Sequence, residues 1–289
     1  MTTPNWPFVG SEAITHGLLK KHELRARFRA LFPDVYVPKD AVPTLHQRAV
    51  AGWLWTHRQG VIAGLTASAL HGAKWIDATD PIELVSQNAR RPRGLRTYDM
   101  RLRDGEYGFY KGLLITSPGR TAFDIARRGS LDQAVARLDA LANATGVSAE
   151  AVLAVAQAHP GARNLRQLEA ALDLHDAGAE SPRETWLRLL VIRAGYRRPR
   201  TQIPVPKRDG AGWYYLDMSW EDLMLALEYD GEQHRNDSDI YADDIQRSER
   251  IAELGWTRLR VVKANKPFEV LRRLERMWRS RLPTDREIL

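Results

Sequence analysis

The sequence predicts a protein of the α/β class, α+β over the whole chain. Its N-terminal part combines helices with short sheets, and its C-terminal part holds a mixed sheet flanked by helices. Two observations lead to this prediction. Between Trp213 and Val262, apolar and polar segments follow in the order strand, strand, helix, strand. From Ser117 to Ala177, apolar residues such as Leu131, Val135 and Leu138 instead recur at the spacing of helices.

Length and composition are those of a globular protein. The chain has 289 residues, 44% of them apolar, which is enough for two domains with separate cores. No run of about 18 apolar residues occurs, so no membrane span is expected. Cysteine is absent, which excludes disulfides and thiolate metal sites. The N-terminus lacks the order of a secretory signal, and a cytoplasmic location is therefore predicted.

The charge of the chain favours a polyanionic partner. The formal net charge is +7 and the isoelectric point is about 9.7. A basic protein of this kind often binds nucleic acid, and DNA is the partner that we expect. Charge alone does not decide this, because many basic proteins have no such partner.

Residues 1–40 predict a helix–turn–helix followed by a strand. A first helix begins near Ser11, a second spans about His22 to Leu31, and a strand covers Val35 to Val37. The second helix carries a basic outer face, which either enters a major groove or is an ordinary solvated surface. The basic residues of this segment are Lys20, Lys21, Arg25, Arg27 and Arg29.

Residues 41–178 predict two helices, a small sheet and then a run of helices. The helices span about Leu45 to His57 and Leu65 to Leu70, and Pro81 to Val85 is a strand candidate. Asp104-Gly105 is predicted to be a hairpin turn. A loop rich in arginine follows the strand and either contacts phosphates or is simply solvated. Its arginines include Arg90, Arg91 and Arg93.

These first two segments resemble the AbiEi family of antitoxins. The similarity rests on FPDVYVP, on the helix that opens at Leu45 to Arg48, and on GVIAGLTASALHGAKW from Gly60 to Trp75. The resemblance implies a winged-helix-like N-terminal part that binds DNA upstream of its own operon. It also implies a toxin protein, encoded nearby, as a partner.

Residues 179–289 begin with a helix whose first turn holds a carboxylate. Ser181 and Glu184 have the spacing of a capping box, and Pro182 suits the first helical position. Glu184 also lies three residues before Leu187, on the face that meets the sheet. It is therefore either a capping residue or part of a site.

Two predicted strands bring further carboxylates together. Asp217 lies on the first strand, Glu221-Asp222 forms the turn, and the second strand ends in Glu228-Tyr229-Asp230-Gly231. Antiparallel pairing places Asp217 beside Glu228, and period 2 places Asp230 on the same face as Glu228. Like charges this close need compensation, which a hard cation such as Mg²⁺ supplies. Asp217, Glu228 and Asp230 are the predicted metal ligands.

The helix that begins near Ser238 carries a polar pair on its apolar stripe. Asp244 and Arg247 interrupt a stripe that continues through Ile251. They either form a surface ion pair three residues apart or point at the carboxylates, with Arg247 facing a phosphate. The following strand, Thr257 to Val262, is expected to run parallel to the second strand.

This C-terminal part resembles the Vsr-like branch of the PD-(D/E)XK nucleases. The matching motifs are SPRET, the strand aspartate, EYDG followed by His234, the Asp244–Arg247 pair and ELGW-x-x-L-R-V. The resemblance implies a restriction-endonuclease-like fold that cleaves DNA. It also implies Mg²⁺, or Mn²⁺, on Asp217 and Glu228, with Glu184 as helper.

One position departs from the superfamily pattern. Asp230 stands where most members have a lysine, although the Vsr-like branch lacks it too. Here the acid would bind a second metal ion or accept a proton, and His234 would act as acid or base. The alternative is an antitoxin-like transcriptional regulator whose nuclease fold is catalytically silent.

Overall fold

The computed structural model describes residues 5–87, 90–231 and 238–282. The chain divides into two compact units, Met1–Asp173 and Leu174–Leu289. The division lies close to the boundary predicted after residue 178. Helices alternate with three sheets of three, five and four strands, which confirms the predicted α/β class.

The first unit opens with a small antiparallel sheet. Its strands are β1 (Phe8–Val9), β2 (Phe28–Phe32) and β3 (Val35–Pro38), in the order β1-β3-β2. Two short helices, α1 (Gly10–Thr15) and α2 (Lys21–Arg27), lie between β1 and β2.

The predicted second helix is wrong in its last turn. It ends at Arg27, and Phe28 to Leu31 belong to a strand. The apolar spacing fits a helix, but Phe28 is buried with its ring edge-on to Phe8, 5.0 Å between centroids. Packing against the neighbouring strands therefore overrides the local helical pattern.

A five-stranded sheet forms the middle of the first unit. It contains β4 (Val61–Ile62), β5 (Ile82–Val85), β6 (Leu95–Tyr98), β7 (Tyr107–Tyr110) and β8 (Leu113–Thr116) in the order β6-β5-β4-β8-β7. Two helices precede β5, α3 (Leu45–Trp55) and α4 (Gly64–Leu70). Buried residues of this sheet share one core with Phe32 and Val35, and Ala49 and Leu54 of α3 complete it.

The predicted hairpin turn at Asp104-Gly105 is also wrong. The hairpin joins β7 to β8, and its two central residues are Lys111 and Gly112. Both have positive φ, +50° and +80°, as tight two-residue turns between twisted strands require. Asp104-Gly105 instead lies before β7, in a turn that joins no paired strands.

Four helices complete the first unit and lead to the division. They are α5 (Pro118–Ala126), α6 (Leu131–Thr145), α7 (Ala149–Ala158) and α8 (Leu165–Leu174). Serine hydroxyls at Ser117, Ser130 and Ser148 accept the N–H three residues on and cap the first three of them. Among the described helices, none alone is long and apolar enough to cross a bilayer, and only α6 and α7 taken together, bent by 115°, meet the length and composition required.

The second unit has the predicted order of strands and helices. Its strands are β9 (Arg200–Pro206), β10 (Trp213–Trp220), β11 (Leu225–Asp230) and β12 (Thr257–Val262). The sheet order is β12-β11-β10-β9; β11 and β12 are parallel, and the other neighbours are antiparallel. Its helices are α9 (Pro182–Arg193), α10 (Ser238–Glu253) and α11 (Pro267–Arg281).

The helices cover opposite faces of this sheet. Leu225 and Leu227 share a core with Leu187 of α9 and Leu274 of α11. Ala226, between them in sequence, packs in another core with Ile251 of α10. Because side chains alternate along a strand, α9 and α11 lie on one face and α10 on the other.

Candidate carboxylate site

Asp217 lies on β10 at an interruption of the strand pairing. The pairs Leu216–Ile203 and Met218–Thr201 form, but the pair between them, Asp217 and Gln202, does not. Gln202 has a φ of +52°, a left-handed backbone that is uncommon outside glycine. Such irregularities redirect a side chain, and here Oδ2 of Asp217 accepts the backbone N–H of Tyr229, 2.8 Å away, on β11.

Electrostatics disfavours the charged form of Asp217. Burial raises the pKa of its carboxyl most, and the carboxylates of Glu184 and Glu228 raise it further, to about 7. The Tyr229 N–H and the charge of Arg247 act in the opposite direction. Within the described part of the chain, no basic side chain forms an ion pair with Asp217. This carboxyl therefore lies in a region of net negative potential that the Tyr229 N–H and Arg247 offset only in part.

Glu184 serves the capping function that the sequence allowed. Its backbone N–H donates to Oγ of Ser181 over 3.2 Å, and Oγ donates to Oε1 of Glu184 over 2.7 Å. Oε2 accepts the N–H of Glu180. Its charge still raises the pKa of Asp217, so the cap and the site share this residue.

Glu228 is buried and neutralised by two arginines. It is only 4% exposed. Arg247 on α10 lies 2.6 Å from Oε1, and Arg258 on β12 lies 2.9 Å from Oε2. Arg247 also donates to the carbonyl of Tyr215 over 2.7 Å, so it joins α10 to both central strands.

A third arginine holds the remaining two acids. Arg260 on β12 donates to Asp230 over 2.8 Å and to Asp244 over 2.9 Å. Asp244 and Arg247, predicted as partners in an ion pair or as groups facing the carboxylates, therefore bind separate residues. Arg247 does reach a site carboxylate, and Asp244 reaches Asp230 only through Arg260.

Sequence reasoning missed the arginines of β12. Arg258 and Arg260 alternate with Leu259 and Val261, which are buried. That alternation is visible in TRLRVV and marks a strand with one charged face. A parallel strand beside EYDG with this pattern predicts arginines facing the acids.

The structure separates the three predicted metal ligands. Asp217 and Glu228 are electrostatic neighbours, whereas Asp230 is held with Asp244 by Arg260. Within residues 5–87, 90–231 and 238–282, no three His, Asp or Glu side chains are grouped closely enough to hold one ion. His234 lies outside the described residues.

The basic residues of the first unit occupy several kinds of position. Lys20, Lys21, Arg25 and Arg27 are exposed in or beside α2. Arg29, predicted on the same helix, lies on β2 and donates to the carbonyls of Lys39 and Ala41, so it braces a loop. The loop arginines Arg90, Arg91 and Arg93 are exposed before β6.

Comparisons with known proteins give relatives without an assigned activity. No protein-family model and no solved structure matches the chain. Two relatives match over 152 residues at 31% identity, 52% of this chain and 55% of each relative. They are the uncharacterized proteins MT2308 and Rv2248 of Mycobacterium tuberculosis, from strains CDC 1551 / Oshkosh and ATCC 25618 / H37Rv. The chain thus spans about half the length of the curated relatives that it matches.

Proposed function

We propose that the protein is a divalent-metal-dependent nuclease that hydrolyses phosphodiester bonds in DNA. The observation that carries the proposal is the state of Asp217. Its half-buried carboxyl lies near Glu184 and Glu228, and the pKa of Asp217 rises to about 7. A site that concentrates negative potential in this way favours a cation, and strongly shifted carboxyls are common at functional sites.

The donor groups suit Mg²⁺ or Mn²⁺. Carboxylate oxygens are the ligands that hard divalent cations prefer, and Asp217 and Glu228 would offer them, with the charge of Glu184 nearby. When bound, such a cation lowers the pKa of a water molecule and offsets charge on phosphate oxygens. Glu228 now binds Arg247 and Arg258, so it would serve as a ligand only after giving up one of these contacts.

The residues around the acids have complementary roles in this proposal. Arg247, 26% exposed, would turn from Glu228 to a phosphate oxygen, which a guanidinium binds through two donors. Arg258 is more deeply buried and would stay on Glu228, keeping that side chain in place. Asp230, already paired with Arg260, would be a positioning residue.

Cleavage of supercoiled plasmid DNA tests the proposal. The wild-type protein with Mg²⁺ or Mn²⁺ is expected to nick the plasmid, and Asp217→Asn and Glu228→Gln are expected to lose this activity. Asp222→Asn is the matched control, because Asp222 is an exposed turn residue that pairs with Arg197. If the wild type cleaves with neither metal, or if Asp217→Asn cleaves as well as Asp222→Asn, the proposal is wrong.

A second candidate is a DNA-binding regulator of antitoxin type with a silent nuclease fold. It is favoured by the two arginines that neutralise Glu228 and by the exposed basic residues of α2. It predicts tight, sequence-specific binding to promoter DNA without cleavage under any metal. Substituting Lys21 and Arg25 by glutamine would then weaken that binding. A toxin encoded beside it would be the second partner.

A further inference from the structure

A basic cavity lies between the β9–β10 turn and α10. Its volume is about 350 Å³. The turn, β10 and α10 all contribute to its walls. The lining residues are Lys207, Arg208, Asp209, Tyr214, Gln246 and Arg250.

The cavity is built by contacts that fix its basic groups. Nε of Arg250 donates to the carbonyl of Pro206 over 3.0 Å, which ties α10 to the end of β9. The ammonium of Lys207 lies 5.0 Å from the ring centre of Tyr214. Glu253 pairs with Arg208 and lies 3.5 Å from Arg250, so it holds both guanidinium groups at the rim.

The two acidic residues near the cavity, Asp209 and Glu253, contact groups other than Lys207. Asp209 accepts the N–H of Ala211 within the turn, and Glu253 already binds the two arginines. Within the described residues, no carboxylate forms an ion pair with Lys207. Lys207 is half-buried, and its ammonium, which lies over an aromatic ring and near guanidinium groups, suits a phosphate oxygen.

The cavity and the carboxylate site are built on the same strand, β10, and the same helix, α10. Arg247 and Arg250 are three residues apart on α10, about 4.5 Å along the helix axis. One reaches Glu228 and the other reaches Pro206. On β10, Tyr214 precedes Asp217 by three residues, about 10 Å along the strand. One strand of nucleic acid would span both places within a few nucleotides.

We propose that this cavity binds a backbone phosphate of the nucleic-acid strand that the carboxylate site cleaves. The proposal rests on the proposed nuclease function for the identity of the strand. The cavity would bind a phosphate a few nucleotides from the scissile bond and set the direction of the strand across α10.

DNA binding by the full-length protein tests this assignment. Anisotropy of a fluorescein-labelled DNA is measured in EDTA, so that no cleavage occurs, over a series of salt concentrations. The variants are Lys207→Gln and Lys207→Gln with Arg208→Gln. We expect Kd to rise about tenfold or more in the double variant, and the salt dependence of binding to fall by about one phosphate contact.

Arg276→Gln is the matched control. Arg276 is exposed on α11, across the sheet from α10, and its loss removes the same unit of charge as Lys207→Gln. The control is expected to keep Kd within about twofold of the wild type. Equal weakening by Arg276→Gln and Lys207→Gln, unchanged Kd in the double variant, or no DNA binding by the wild type would overturn the assignment.

The same experiment separates this inference from the nuclease proposal. Asp217→Asn should bind DNA like the wild type while losing cleavage. If the wild type does not cleave DNA but the cavity variants bind it more weakly, phosphate binding in the cavity is supported and the nuclease function is rejected. Normal binding in the cavity variants of an active enzyme would reject the cavity alone.

Discussion

Asp217 combines a structural and an electrostatic peculiarity in one side chain. It lies where the pairing of β10 with the edge strand β9 is interrupted, and it accepts a backbone N–H from β11. Burial and two nearby carboxylates then make its ionisation costly. The charged form of such a residue costs stability, and ionisable groups with strongly shifted pKa values are common at functional sites.

The free energy of unfolding should depend on pH through Asp217. Folding raises the pKa of this carboxyl from 3.8 to about 7, so the folded protein binds more protons between these values. The stabilisation that Asp217 contributes is therefore fully present below pH 4, and it is lost as pH rises through 7. In urea unfolding with EDTA, the free energy of unfolding of the wild type should decline between pH 5 and 8. This decline should exceed that of Asp217→Asn by on the order of 1–3 kcal/mol.

Addition of Mg²⁺ or Mn²⁺ provides the control for this measurement. A cation that binds only the folded state should stabilise the wild type at pH 8 and leave Asp217→Asn unchanged. Parallel pH profiles of the two proteins would contradict the assigned environment of Asp217.

Arg258 should be more important for stability than for cleavage. Its side chain is 11% exposed and lies against Glu228, whose side chain is 6% exposed. Arg258→Met leaves a buried carboxylate with one partner, and we expect a loss of about 3 kcal/mol. Arg258→Met with Glu228→Leu should recover most of it in chemical denaturation. A double variant as unstable as the single one would show that packing, not charge, is lost.

At the level of elements, the N-terminus of α9 couples stability to the site. Ser181→Ala should cost about 1 kcal/mol, because the helix loses its cap, while cleavage persists. Glu184→Gln keeps the capping geometry with a neutral amide, so stability should be retained and cleavage reduced. Thermal unfolding and plasmid nicking on the two variants separate the two roles. The opposite pattern would make Glu184 a capping residue only.

Much of the second unit could be predicted from local pattern. The capping box at Ser181, the alternation in LALEYD and the stripe through Ile251 each specify an element, and the order of elements specifies the sheet. Local pattern left two alternatives open for Asp244 and Arg247, because the partner of Asp244 is Arg260 on β12 and that of Arg247 is Glu228 on β11, both distant in sequence. The irregularity at Gln202 is equally invisible, since nothing in its sequence signals a positive φ.

The first unit was predicted less well where strands compete with helices. Leu24 and Phe28 have helical spacing, yet Phe28 pairs in a sheet with distant residues. Lys111-Gly112 is a weaker turn signal than Asp104-Gly105, but only the former joins strands whose side chains pack in register. In both places, contacts between residues distant in sequence determine the secondary structure.

On the scale of the whole molecule, each unit has its own core. The buried residues that join α9, α11 and the four-stranded sheet all come from after residue 174. A fragment of residues 174–289 should therefore fold cooperatively, as measured by circular dichroism and urea unfolding. A fragment that begins at 179 should be less stable, because Arg188 loses the carbonyl of Leu174 and Thr201 loses the carboxylate of Asp176. Equal stability of the two fragments would contradict this.

Strand β9 is an edge strand of the second unit's sheet, and it contains Pro204 and Pro206. The N–H of Lys207 points inward to Gly212, so the two prolines occupy outward positions, and Arg250 takes the outward carbonyl of Pro206. Proline has no N–H to offer an incoming strand. Two copies meeting along this edge would find no hydrogen-bond donor at these two positions, which disfavours the growth of extended sheets.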